Sequence, residues 1–136
     1  MNATDHEWPR QLAPVSLTAN AESIALYAEL TSDFNPIHLD AEFAAGTPFG
    51  KPIAHGTMVL NLVWISLSET FPRLDLPWAA EIRFLKPVKI GDTVTASGLL
   101  SEQPGRYEVA VRNEAGDIVL AGSVQLDAAG RGRSEA

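Results

Sequence analysis

Hydrophobic and polar positions divide the chain into helices first and strands after. Gln11 to Leu17 alternate weakly around Pro14, which predicts a short edge strand. Thr18 or Asn20 can cap a helix running to about Leu30, with Glu22 in its first turn and Ile24, Tyr27, Ala28 and Thr31 on one face. Thr31–Ser32–Asp33–Phe34–Asn35–Pro36 is turn chemistry. Asp40 caps a short helix, Ala41 to Ala45, closed by Gly46; Thr47 to Ala54, with Pro48, Gly50 and Pro52, is a loop. From Thr57 to about Ser68 the chain is apolar around nearly the whole helical circumference, apart from a stripe through Thr57, Asn61 and Ser68. Such a helix must be enclosed by other structure.

Beyond Pro77 the period changes to two. Ala79 to Val88 reads as one long strand, and Gly91–Asp92 as a turn. Thr93 to Glu102 then carries Val94, Ala96, Gly98 and Leu100 on one face. After Pro104–Gly105, a type II turn signal, Tyr107, Val109 and Val111 alternate with polar or small residues. Asn113 to Asp117 turns the chain into Ile118, Leu120, Gly122, Val124 and Leu126. Long alternating strands joined by short turns predict an antiparallel meander, and with the buried helix an α+β fold: a twisted sheet wrapped around one apolar helix.

Composition narrows the function classes. At 136 residues and 46% apolar content the chain suits a single domain, with its core over about 11–127 and residues 128–136 as a disordered tail. It has no cysteine, which excludes thiolate chemistry and disulfides and suits a reducing cytoplasm. Met1 to Arg10 lack the apolar run of a signal peptide. The longest apolar run, Met58 to Leu67, is interrupted by Asn61 and Ser66 and too short to span a membrane. A net charge of −7 without a basic stripe argues against nucleic acid as a partner. No residues show metal-ligand spacing with enough partners, so no metal is expected.

The chemistry concentrates in Asp33–Phe34–Asn35–Pro36–Ile37–His38 and in His55–Gly56 at the mouth of the apolar helix. Adding water across an α,β-unsaturated thioester needs one group to take a proton from water and another to deliver one to the α-carbon. It also needs donors fixed in advance where charge builds on the thioester oxygen. Asp33 and His38 can share the proton work around one water. Their spacing is not a helical face, so the loop must aim them, with Asn35 holding the turn through side-chain to backbone bonds. Gly56, beginning the helix, offers an unpaired amide at the positive end of the dipole and lets a carbonyl approach closely.

The stretch Tyr27–Ala–Glu–Leu–Thr–Ser–Asp–Phe–Asn–Pro–Ile–His38, with Ala44 and Pro52–Ile–Ala–His–Gly56 downstream, closely resembles the MaoC-like, (R)-specific enoyl-CoA hydratase family. Phe84–Leu–Lys–Pro–Val88 and Gly91–Asp–Thr–Val94 also look like that family's sheet. The resemblance implies a hot-dog fold, a homodimer joined edge to edge between sheets, and active sites near the subunit interface. It implies Asp33 and His38 as the catalytic pair and Gly56 as the oxyanion-hole amide, with no cofactor beyond the coenzyme A of the substrate. Ser32 stands where the family's pattern often has glycine. Trp64 stands where some members carry a small serine facing the active site.

Asn35, Asn61, Trp64, Arg83 and Lys86 are the candidate substrate-binding residues. Arg83, Lys86 and Lys89 offer positive charge to the phosphates of coenzyme A, with solvated strand charges as the plain alternative. Asn61 and Trp64 continue the stripe that starts at Thr57, which should border the acyl tail; the alternative is that Trp64 packs on the sheet. His55 reads as a structural residue ordering its loop. The partner is thus an acyl-CoA or acyl-carrier-protein thioester. The rival readings are a hot-dog thioesterase and a catalytically silent acyl-binding subunit.

Overall fold

The computed structural model describes residues 8–71 and 78–126. The expected tail, Arg131–Gly132–Arg133 included, lies outside the described residues, as does most of Met1 to Arg10. Strand β1 (Val15–Thr18) leads into helix α1 (Ala21–Thr31), the short helices α2 (Pro36–Leu39) and α3 (Ala41–Ala45), and the long helix α4 (Gly56–Thr70). Strands β2 (Trp78–Phe84), β3 (Thr93–Leu100), β4 (Arg106–Asn113) and β5 (Ile118–Leu126) follow. They form one antiparallel sheet in the order β1-β3-β4-β5-β2, so the helical half of the chain bridges its two edges.

Each helix starts where its residues supply a cap. Asn20 accepts from the Ser23 amide while the Ser23 hydroxyl accepts from the Asn20 amide, a reciprocal box that starts α1. The carboxylate of Asp40 accepts from the amides of Glu42 and Phe43 and starts α3. Ile24 and Ala28 turn inward from α1 as expected, with Tyr27 half-buried. Thr31 does not: it is exposed, its hydroxyl bonded back to the Tyr27 carbonyl at 2.8 Å.

Met58, Val59, Leu62, Val63 and Leu67 of α4 are buried against the inward residues of β3 and β4, among them Val94, Ala96, Tyr107, Val109 and Val111. Each such aliphatic side chain contributes about 1.5–3 kcal/mol. The buried Ser66 donates to the Ala13 carbonyl at 2.5 Å, and Thr70 accepts from the Ala13 amide at 2.8 Å, pinning the end of α4 to the segment before β1. The helix packs on β1, β3 and β4, leaving the β5–β2 side of the sheet less covered. Its enclosure is incomplete: Thr57, Asn61 and Ile65 are exposed.

Two departures in the sheet come from single residues. The expected strand Ala79 to Val88 ends at Phe84, because Pro87 has no amide to continue the ladder. A register shift beside Val111 gives β5 an extra residue at Val119, whose carbonyl accepts from both Leu85 and Lys86. Val119 and Leu120 are therefore both buried, where strict alternation would bury one.

Tyr107 is fully buried, its hydroxyl donating to the Pro9 carbonyl at 2.5 Å, and burial pushes its pKa up to about 12. Since the folded value lies above the ordinary one, the unfolded chain releases this proton first as pH rises. The associated stability is present below pH about 10 and is lost as the pH climbs towards about 12. Denaturant melts between pH 9 and 12 should show this decline, and Tyr107→Phe should flatten it; an identical slope in the variant would refute the assignment.

Candidate active site

Asp33 is aimed by the end of α1. Ser32 closes that helix in the left-handed region, φ 58°, and the Asp33 amide donates to the Ala28 carbonyl at 3.1 Å. A side chain in that conformation costs about 1 kcal/mol, which is why glycine suits the position. Asn35 accepts from the Ile37 amide at 3.0 Å, and Pro36 supplies a preset φ for the first residue of α2. His38 therefore sits on a single helical turn rather than on an extended loop.

The imidazole of His38 is held by the main chain. Its Nδ1 lies 2.8 Å from the Ile53 carbonyl, which can only accept, so Nδ1 carries the hydrogen and Nε2 keeps a lone pair. The Ile53 amide returns a bond to the Ile37 carbonyl at 3.2 Å, and the Ala54 amide donates to Val88 at 2.7 Å. This clamp ties α2 through residues 53–54 to the segment that leaves β2. His55 follows at once: its Nε2 lies 3.0 Å from the Asp33 carbonyl, and its ring stacks on His38 at 3.8 Å between centroids. Single donor atoms of Asp33, His38 and His55 all fall within 4.8 Å of one another.

Gly56 opens α4 directly after His55, which places no side-chain cap on the first turn. The positive end of the helix dipole is thus left without a side-chain acceptor. His38 and Gly56 line one cavity of about 330 Å³, with Val59, Phe84, Lys86, Val88 and Val119 among its walls. It lies on the β5–β2 side that α4 leaves uncovered. The ring of Phe84 sits over Gly56, 3.4 Å from where a Cβ would stand.

Residues 3–119 match the model of the MaoC like domain. The chain belongs to this family. It is 39% identical over 87 residues to the (R)-specific enoyl-CoA hydratase of Aeromonas caviae, covering 63% of this chain and 65% of that one. Similarity to the 3-hydroxybutyryl-CoA dehydratase of Methylorubrum extorquens is 35% over 105 residues, covering 74% and 67%. The chain thus spans about two thirds of the length of these curated relatives. The solved structure of the A. caviae (R)-hydratase superposes with a TM-score of 0.74 at 30% identity, over 88% of this chain and 96% of that one. These relatives are named for hydrating enoyl-CoA and for dehydrating 3-hydroxybutyryl-CoA, and the structural neighbours carry the hot-dog fold expected from the sequence.

Within this MaoC-like fold the candidate residues separate. Asp33, His38 and Gly56 converge, and Asn35 holds the turn between the first two. Lys86 reaches the cavity wall, its ammonium 3.4 Å from Asp117. Arg83 does not join it: one residue on from the inward Ile82, it alternates to the outer face of β2. Asn61 and Trp64 do not line this cavity either. Asn61 is exposed beside a second depression with Tyr27 and Met58, while Trp64 is partly buried against the core. A helix repeats every 3.6 residues, so Thr57, Asn61 and Trp64 share a face about 100° round from Gly56, and Thr57 and Asn61 lie on the Tyr27 side. Phe84 and Val119 were not singled out from the sequence: one lay in a run read as plain strand, and the other is exposed to the cavity by a bulge.

The two His–carbonyl bonds already commit one nitrogen of each ring. The cluster therefore suits proton transfer better than metal ligation. Asp33→Asn and His38→Ala should each fold normally and lose about 10²–10⁴-fold in hydration turnover. Near-native turnover by either variant on a good substrate would break the pairing.

Proposed function

We propose that this chain adds water to short-chain α,β-unsaturated acyl thioesters, and removes it from the 3-hydroxyacyl products, through Asp33, His38 and the Gly56 amide. The observation that carries this reading is the placement of His38 and an uncapped helix N-terminus on one cavity, with ligand atoms of Asp33 and His38 within 4.8 Å of each other. The thioester oxygen accepts from the Gly56 amide, where charge builds as the β-carbon is attacked. A water held between the Asp33 carboxylate and His38 Nε2 supplies its oxygen to the β-carbon and gives one proton to this pair. A proton from the same pair goes to the α-carbon. Because one pair handles both protons, both new bonds form on one face of the double bond.

At about 330 Å³ the cavity is at the small end for ligand sites, which supports short or compact acyl groups; the M. extorquens relative is named for a four-carbon substrate. Lys86 supplies the charge for the coenzyme A phosphates at the cavity rim.

The structure also favours a homodimer. The edge strand β2 is seven residues long and exposed, a liability that pairing with a second copy removes. Phe34, Leu39, Phe84 and Leu85 are exposed near the dyad and the same edge, and Ile65 on the open face of α4.

With crotonyl-CoA, the enoyl absorbance should fall with no free thiol released; thiol release would mean a thioesterase, and no change a silent subunit. Across four-, eight- and twelve-carbon substrates, turnover should fall with length. An inverted order would sink the short-chain reading. Light scattering should give a dimer at micromolar concentration, and a stable, active monomer would refute β2 pairing.

A further inference from the structure

Beside the dyad lies a buried titratable side chain that the mechanism leaves unused. His55 is 2% exposed, yet it touches everything that reacts. Its Nε2–H donates to the main-chain carbonyl of Asp33 at 3.0 Å, and that nitrogen lies 4.0 Å from the Asp33 carboxylate. One face of its ring stacks on His38, with 24° between planes, and Tyr27 packs at 5.0 Å and 59°. Tyr27 is fixed in turn by its hydroxyl, which donates to Thr57 Oγ1 at 2.8 Å, one residue beyond Gly56. Nδ1 of His55 is buried and has no hydrogen-bond partner among the described residues.

That orphaned nitrogen is informative. A ring kept only to fill space would be served by an apolar residue without leaving a buried acceptor unpaired. What an apolar residue could not supply is the bond to the Asp33 carbonyl. Asp33 has few other ties: its carboxylate is half exposed, and its own loop holds it through the Asn35 amide at 3.3 Å and the bond to Ala28. His38 stands on a helix of four residues, too short to be rigid by itself.

We propose that His55 is the positioning residue of the dyad, a single buried imidazole that fixes Asp33 through its main chain and His38 through its ring face. The proposal rests on the hydratase reading above for its kinetic consequence, but not for its structural one. Misplacing a reacting group by about 1 Å can cost about 10²-fold in turnover.

The test compares wild type with His55→Ala, His55→Gln and His55→Phe, checking each fold by circular dichroism and melting temperature. With crotonyl-CoA, His55→Ala should lose about 10²-fold in kcat with KM little changed, because binding is left intact while alignment is lost. His55→Gln keeps an N–H for the Asp33 carbonyl and should recover part of that loss; His55→Phe keeps the stack alone and should recover less. Nitrogen-15 NMR of the His38 ring gives a readout independent of turnover. Wild type should show the single Nδ1–H tautomer, and His55→Ala a mixture as the bond to Ile53 loosens. Unchanged kcat in His55→Ala overturns the proposal, as do equal losses in all three variants that track melting temperature. If wild type hydrates no enoyl thioester, the hydratase reading fails, and the NMR result alone decides: an unchanged His38 tautomer overturns the positioning role, and a mixed one upholds it.

Discussion

The burial of α4 off-centre on the sheet is the constraint from which the site follows. Five large apolar side chains of this helix are satisfied only against β1, β3 and β4. Having settled there, the helix covers the β5–β2 side of the sheet less than the other side. Its first turn borders a cavity that Gly56 shares with Phe84 and Val119. The oxyanion site proposed at Gly56 is in this sense a by-product of where the helix packs. The bulge at Val119 adjusts the same region, turning one more apolar side chain into the wall.

Asp33 and His38 depend on the helix at second hand. Neither belongs to an element large enough to hold a reacting atom in place. The tie is a set of main-chain carbonyls: Ala28 for the Asp33 amide, Ile53 for His38 Nδ1, Asp33 itself for His55 Nε2. Carbonyls can only accept, so these bonds also choose which imidazole nitrogens carry hydrogen. The same contacts that fix position therefore fix the proton inventory, leaving His38 Nε2 as the lone pair beside the Asp33 carboxylate.

The sequence made this arrangement legible in parts, and the parts differ physically. Strands β3 and β4 were readable because each has one face in the core, so alternation translates directly into burial. Helix α4 was readable from its apolar circumference, and the dyad from a long ordered motif. Val119 was not readable, since a bulge depends on the register of two strands distant in sequence. The positions of Arg83 and Trp64 were misjudged for related reasons. A cluster of bases close in sequence divides between two faces when it lies on a strand. A stripe on a helix keeps its face over two turns, and this one starts on the Tyr27 side, about 100° round from Gly56. Sequence proximity implied a shared site, and local geometry separated the residues.

The placement of Phe84 brings these constraints together. It ends β2, the exposed edge of the sheet, and its ring lies over Gly56 while more than half exposed. An exposed aromatic over a bare helix terminus shields those amides from part of the solvent. Donors in a drier setting stabilise developing charge more strongly than donors in water. Phe34 and Leu39, each adjacent in sequence to a dyad member, extend the apolar rim. The rim is apolar where the chemistry needs low dielectric, and it stays exposed in a single chain because its natural cover, an acyl thioester and a second copy paired along β2 on the reading proposed here, comes from outside that chain.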